Sequence, residues 1–304
     1  MAIPEAQLST WTAQGSVQQS AATYQTIRTA LNDSQSPYYP KNFEIFLQGS
    51  YGNDTNIYAD SDVDVVIRLD SVYYSDTSHL SADDKTNYDR NFTKADYSLA
   101  KFKEEVGAWL LSKVGKSVKP GNKAIFVPGS GNRRDADVLP CALHRAYYTY
   151  PASGAPAMWE GVVFWTGEGT KIVNYPKQHS ENCTKKHQAT GNRLKPAVRM
   201  FKNMRNKMIE EGFLQKGVAP SYYLEGLLTN APDYCFSGSL QETFNQCMNS
   251  LRQAERDKLM CANGIHFLVR DGQQVCWSVA NFTAFMAAVQ KFWDDGGKRK
   301  GLWL

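Results

Sequence analysis

Two aspartates one residue apart, Asp62 and Asp64, stand at the head of the apolar run Val63, Val65, Val66 and Ile67, a short way after Gly49-Ser50. On a strand, alternate side chains share a face, so both carboxylates project to one side while Val63, Val65 and Ile67 project to the other. Two carboxylates at that spacing can bridge two hard divalent cations about 3.5–4 Å apart, the arrangement that transfer of a nucleotidyl group needs. Gly49-Ser50 supplies the phosphate half of such a site. Glycine lets the backbone approach a phosphate closely, and serine adds a hydroxyl and, if it opens a helix, an amide. Asp-x-Asp by itself also fits a solvated strand or loop. Its company of Gly-Ser and a β-branched run favours the two-cation reading, and that reading requires a third carboxylate.

The candidates for it lie in Arg133-Arg134-Asp135-Ala136-Asp137-Val138-Leu139-Pro140, where Asp137 begins a short apolar run ended by proline. The segment Ala124-Ile125-Phe126-Val127-Pro128 also reads as a strand, and Gly129-Ser130-Gly131-Asn132 between them is a turn signature, so a hairpin puts Asp135 and Asp137 on one face. Asp135 has an alternative reading as an ion-pair partner of Arg133 or Arg134. Gly-Ser, then Asp-x-Asp, then Asp-Val-Leu-Pro resembles the DNA polymerase β-like nucleotidyltransferase superfamily. In that superfamily the third carboxylate directly precedes the apolar-apolar-Pro sequence. The resemblance therefore implies Asp137 as third metal ligand with Asp62 and Asp64, and as activator of the attacking hydroxyl.

The elements that must hold a nucleotide come later in the chain. Leu194, Val198, Phe201, Met204 and Met208 recur at helical spacing as a core stripe, with Lys195, Arg199, Lys202 and Arg205 between them. Residues 171–210 hold ten Lys or Arg against two Glu, a local +8 in a chain whose total is +4. Such a surface fits a solvated helix face, a triphosphate clamp or a nucleic-acid contact, and the upstream aspartates favour the clamp. Ala197-Val198-Arg199-Met200-Phe201-Lys202 and Pro220-Ser221-Tyr222-Tyr223-Leu224-Glu225-Gly226-Leu227-Leu228 resemble the second lobe of 2′-5′-oligoadenylate synthetases and cGAS/DncV-like enzymes. The resemblance implies Arg199 and Lys202 as donor-phosphate ligands, Ser221 as a triphosphate contact and Tyr222 as a base-stacking platform.

Gln48-Gly49-Ser50-Tyr51-Gly52-Asn53-Asp54-Thr55-Asn56-Ile57 with Asp60-Ser61-Asp62-Val63-Asp64 is similar to the first motif of the bacterial cGAS/DncV-like nucleotidyltransferases of antiphage defence. This places Gln48, Gly49 and Ser50 among the nucleotide contacts. The resemblance covers roughly residues 15–230. It implies an α+β fold: a polymerase β-like core of mixed sheet and helices over 1–170, with an N-terminal helix across both lobes, and a mainly helical donor-binding lobe over 171–304. It also implies two Mg2+ ions, with Mn2+ able to substitute, ATP or GTP as substrates, a separate effector reading the product, no required nucleic-acid activator, and a monomer.

The resemblance and the residues that carry it imply one function, and two others are weighed against it. The first is a synthase of a purine-containing cyclic dinucleotide such as cyclic GMP-AMP, with a cyclic trinucleotide or linear 2′-5′ oligoadenylate as variants. Template-free extension of an RNA end is the second, although the positive charge is largely confined to forty residues rather than drawn out along a groove. The third, a catalytically dead nucleotide-binding scaffold, has no need of three carboxylates beside Gly-Ser.

The 304 residues suffice for one bilobal unit or two small domains. No signal peptide or membrane-length apolar run is evident, and six scattered cysteines suit reduced, buried thiols in a cytoplasmic protein. His179, Cys183 and His187 recur every four residues as a possible zinc set, but the basic surroundings favour polar groups of a substrate-lid loop. A helix is expected over 17–31 with Val17, Ala21, Tyr24, Ile27 and Leu31 inward, and a strand over 43–47. A surface insertion is expected over 71–95, a helix over 97–114, a hairpin over 154–169, a solvent-facing helix over 241–260 and a terminal one over 281–293. The tail Lys298–Leu304 reads as packing on the core, with a partner contact as the alternative.

Overall fold

The computed structural model describes residues 3–58, 62–115, 117–131 and 133–297. Its elements in chain order begin with α1 (Glu5–Trp11), α2 (Gln18–Leu31), β1 (Phe43–Leu47), α3 (Gly49–Gly52), β2 (Val63–Asp76), α4 (Ala82–Asn91) and α5 (Leu99–Val114). Next come β3 (Lys119–Pro120), β4 (Ile125–Val127), β5 (Ala136–Thr149), β6 (Ala157–Trp165) and β7 (Lys171–Asn174). The chain continues with α6 (Pro176–Ala189), α7 (Leu194–Glu210), α8 (Ser221–Thr229), α9 (Leu240–Gln253) and α10 (Val279–Asp294). This is an α+β fold of two compact units. One comprises Met1–Val17, Gly49–Asp60 and Lys177–Leu304, and the other Gln18–Gln48 and Ser61–Pro176.

The second unit carries the sheet, in the order β1-β2-β5-β4-β3, with β6 paired to β5 and β7 to β6. Among the described strands of this sheet, β2 and β5 run parallel and the other pairs are antiparallel, so the sheet is mixed. Val63, Val65 and Ile67 are buried as alternation requires, but Val66 and Arg68 on the opposite face are buried too. A central strand covered on both faces shows little alternation past its exposed end. Arg68 is tolerated there because Glu44 and Asp70 accept its guanidinium at 2.9 and 2.6 Å.

The helical unit is built on α7, whose Leu194, Val198, Phe201, Met204 and Met208 are all buried, as their spacing predicts. α1, α8, α9 and α10 pack on it. Ser239 caps α9 through a reciprocal capping box with Glu242, and Glu5 of α1 accepts the next two amides, of Leu240 and Gln241.

Several expectations about local structure are corrected. The buried stripe of α2 is Ser20, Thr23, Ile27 and Leu31, while Val17 is about half exposed and lies outside the helix. Thr23 can be buried because its hydroxyl donates to the Gln19 carbonyl and accepts the Arg134 amide. The segment 71–95 is largely regular: β2 runs to Asp76 past a register shift between Leu69 and Tyr73, and α4 follows, capped by Ser81. Its polar composition hid a strand whose second half is only partly covered. Residues 157–174 form sheet strands β6 and β7, with Trp165 edge-on to Tyr74 and Trp159 against Tyr148. α9 is not solvent-facing, since Thr243, Phe244, Cys247, Met248 and Leu251 are buried. All six cysteines are free and buried. No helix among the described residues is long and apolar enough to cross a membrane. The tail 298–304, residues 59–61 of the first motif and Asn132 of the expected turn lie outside the described residues.

Candidate active site

The parallel pairing of β2 with β5 sets Asp64 directly beside Asp137. Aligned residues of neighbouring strands share a face of the sheet. Asp62, two residues before Asp64, lies exposed at the entry to β2. Asp137 is half-buried. Burial first, then the negative charges of Asp62 and Asp135, pushes its carboxyl above the ordinary aspartate range.

Asp135 has a different job. Its carboxylate accepts the Gly129 amide at 2.7 Å and closes the turn before β5. Gly129 is needed there, because a Cβ would stand 2.5 Å from the Arg133 carbonyl oxygen. The alternative reading of Asp135 as an arginine's partner is thus replaced by a backbone contact.

The carboxylates of Asp62, Asp64 and Asp137 offer only oxygen donors, the chemistry that hard divalent cations take, and a cation near Asp137 would offset the negative charges beside it. Nucleotidyltransferases of this fold use divalent metals.

The Gly-Ser segment is in the helical unit. Gly49 adopts φ 65°, a backbone conformation glycine accepts readily, and α3 is a single turn. The amides of Asn53 and Thr55 return to the carbonyls of Gly49 and Ser50, at 3.1 and 2.9 Å. Gln48, at the end of the sheet unit's first segment, donates its amide to the Asp64 carbonyl at 3.0 Å.

The basic row of α7 faces the loop that follows Ser50. Lys195 reaches the Asp54 carboxylate at 2.9 Å, Arg199 the Asp54 carbonyl at 2.7 Å and the Thr12 carbonyl at 2.6 Å, and Lys202 the Thr55 carbonyl at 2.9 Å. Lys195 and Lys202 are buried. The row is therefore no ordinary solvated helix face.

Ser221 and Tyr222 open α8 behind Pro220. The Ser221 hydroxyl accepts from Arg205 at 3.3 Å, and the Tyr222 hydroxyl accepts from Asn263 at 3.0 Å. The Tyr222 ring stacks on the imidazole of His179 with centroids 4.8 Å apart.

His179 also hydrogen-bonds Glu225, a fully buried acid that the sequence reading passed over. Oε2 of Glu225 accepts from His179 Nε2 at 2.6 Å and from Asn53 Nδ2 at 2.9 Å, and Oε1 accepts from the Thr55 hydroxyl. Burial alone would push this carboxyl up. The His179 hydrogen bond and charge, with smaller help from Thr55 and Lys202, outweigh burial and hold it below the usual glutamate range. A signal was present in the sequence: one acid in the otherwise apolar turn Leu224–Leu228 must be paired if the turn is buried.

The expected lid loop over 179–187 is instead the helix α6, with His179 and Cys183 buried. His187 does not join them; its Nδ1 accepts the Lys195 amide at 3.3 Å. Among the described residues, His179, Cys183 and Glu225 bring their side-chain ligand atoms within 4.8 Å of one another. Two ligands about 2.0–2.1 Å from a tetrahedral zinc stand roughly 3.3 Å apart, so the 2.6 Å contact of His179 with Glu225 is a hydrogen bond. Burial, then the charge of Glu225, also pushes the Cys183 thiol up, away from the thiolate a metal requires.

A mixed sheet presenting paired aspartates, with a helical unit holding a Gly-Ser turn and a basic helix, defines a nucleotidyltransferase. The model of the cGAS/DncV-like nucleotidyltransferase C-terminal helical domain matches residues 181–294. A cyclic UMP-AMP synthase of Rhodothermus marinus (strain SG0.5JP17-172) is 38% identical over 300 residues, covering 98% of this chain and 100% of that protein. The cyclic nucleotide synthase CdnE01 of Staphylococcus haemolyticus is 32% identical over 304 residues, covering 97% of this chain and 100% of that one. Among solved structures, the Rhodothermus marinus CdnE c-UMP-AMP synthase with Apcpp and Upnpp superposes with a TM-score of 0.87 at 36% identity, over 98% of this chain and 99% of that one. The chain belongs to the cGAS/DncV-like nucleotidyltransferases, and its fold is theirs.

Proposed function

We propose that this nucleotidyltransferase joins two nucleoside triphosphates into a purine-containing cyclic dinucleotide, an antiviral (antiphage) second messenger read by a separate effector protein. Adenine is the purine assigned, with uracil or guanine as the second base. The observation that carries the reading is the end-to-end likeness to a cyclic UMP-AMP synthase, in a chain that pairs Asp64 with Asp137. The enzyme acts as a monomer in the cytoplasm, without a nucleic-acid activator.

In this reading a ribose hydroxyl of one nucleotide attacks the α-phosphorus of the other. The new O–P bond forms as the α–β phosphoanhydride bond breaks, pyrophosphate leaves, and the hydroxyl proton passes to Asp137. A second, intramolecular round closes the ring. Asp62, Asp64 and Asp137 would hold divalent cations, magnesium by preference with manganese able to substitute, which supply neutralisation of the phosphates. The sheet unit is assigned the catalytic role and the helical unit donor binding. Gln48, Gly49 and Ser50 contact the nucleotide. Arg199 and Lys202 bring positive charge to the loop after Ser50, as a triphosphate of about four negative charges requires. Ser221 contacts phosphate, and Tyr222 gives a base a ring to stack on, worth about 1–3 kcal/mol.

The test is incubation with all four triphosphates and Mg2+, phosphatase treatment, and mass spectrometry of what survives. A phosphatase-resistant cyclic dinucleotide containing adenine is expected, and the double variant Asp62→Asn, Asp64→Asn should make none. No resistant product, or elongation of a labelled RNA instead, would sink the reading.

A further inference from the structure

The buried carboxylate of Glu225 takes no part in the proposed reaction. We propose that Glu225 is a positioning residue for the nucleotide, fixing the Gly-Ser turn and the Tyr222 ring in a single arrangement. The inference rests on the proposed nucleotide site and adds the device that holds it in shape.

An ionised carboxylate only accepts hydrogen bonds, through about four lone-pair positions. Glu225 has three donors from two distant stretches of chain: Asn53 and Thr55 after the Gly-Ser turn, and His179 on α6. From there the connections run in two directions. On one side, the backbone amides of those same residues, Asn53 and Thr55, hold the carbonyls of Gly49 and Ser50. The carboxylate is thus one residue and one hydrogen bond away from each position of the motif. On the other side, because Glu225 cannot donate, Nε2 of His179 carries the proton, and this fixes the orientation of the imidazole. That ring lies 25° from parallel under Tyr222, whose hydroxyl is held by Asn263. The Tyr222 ring is thus held by His179 on one face, by Tyr223 edge-on to it, and by Asn263 at its hydroxyl. A single carboxylate therefore sets the backbone that approaches the phosphates and the ring that meets the base.

Substituting Gln keeps the size of Glu225 but turns one acceptor atom into a donor. It also removes the negative charge that holds the three donors together, and the Thr55 hydroxyl or His179 must turn from donor to acceptor to meet the new N–H. Thr55→Val removes one of the three bonds without burying a new polar group.

The readout is the dissociation constant of a non-hydrolysable ATP analogue with Mg2+, measured by calorimetry at a temperature where circular dichroism shows each variant folded. Glu225→Gln is expected to weaken binding 10-fold or more and Thr55→Val about 3-fold. Since both act through one carboxylate, the double variant should bind no worse than Glu225→Gln alone. Folded variants that bind like wild type, or effects that multiply in the double variant, would overturn the proposal and leave Glu225 a purely structural residue. If Glu225→Gln does not fold, Thr55→Val decides alone: unchanged binding overturns the proposal and weakened binding supports it. Binding needs no turnover, so failure here is distinct from failure to form a cyclic product in the synthase assay.

Discussion

Asp137 shows how much chemistry one residue inherits from its neighbours. Half-buried beside Asp64, and facing the negative charges of Asp62 and Asp135, its carboxyl lies above the ordinary aspartate range. Asp137→Asn removes that penalty together with the ligand and proton acceptor of the proposed mechanism. The metal-free variant is expected to melt about 2 °C above wild type by calorimetry while product formation falls by a factor of about 10²–10⁴. A variant with lowered melting temperature and intact turnover would contradict both halves of the argument. The assignment of Asp62, Asp64 and Asp137 needed only strand alternation and a family motif. Glu225 needed more, because its donors lie as many as 172 residues away and nothing local to it names them.

At the scale of elements, α7 was the most legible part of the chain. A stripe at helical spacing implies a buried face, and Leu194, Val198, Phe201, Met204 and Met208 form it. Phe201 stacks on Phe244 of α9 with centroids 5.5 Å apart, so the stripe is also the seam between two helices. Phe201→Ala is expected to cost about 3–5 kcal/mol in urea unfolding, without changing the sheet unit's own packing. A loss under 1 kcal/mol would mean that α7 is not the core of its unit. The cations between those apolar positions were harder to read. Periodicity places Lys195, Arg199 and Lys202 on one flank of the helix, but only the fold brings the Asp54–Thr55 loop against them. The same limit applied to α6, whose polar composition suggests a loop. Its burial depends on Glu225 being there to receive His179.

At the scale of the whole molecule, composition fixes a modest positive charge and a cluster of it in one stretch, and the fold decides which charges are buried. Glu225 is a buried charge with a definite influence on pH behaviour. Its folded-state pKa lies below the unfolded value near 4.5, so below that pH the unfolded chain binds more protons than the folded one. Its contribution to stability is present above about pH 4.5 and lost as pH falls through the depressed value. Urea midpoints are expected to drop between pH 6 and pH 3.5 in wild type and to change less in Glu225→Gln. Equal slopes in the two proteins would show that the buried carboxylate does not govern acid unfolding.

The sequence by itself determined the reaction class and proposed Asp62, Asp64 and Asp137 for its site, because two-residue strand spacing, a Gly-Ser turn and a family motif are all properties of neighbouring residues. The α+β class came with the family resemblance, and the scatter of the six cysteines agreed with thiols that are free and buried. Tertiary structure alone decided that the Gly49–Asp60 segment joins the helical unit, that Asp135 closes a turn, and that His179, Asn53 and Thr55 converge on Glu225. The physical reason is that a buried charge is stable only when its partners are all in place, and those partners are assembled by folding from stretches with no common pattern in the chain.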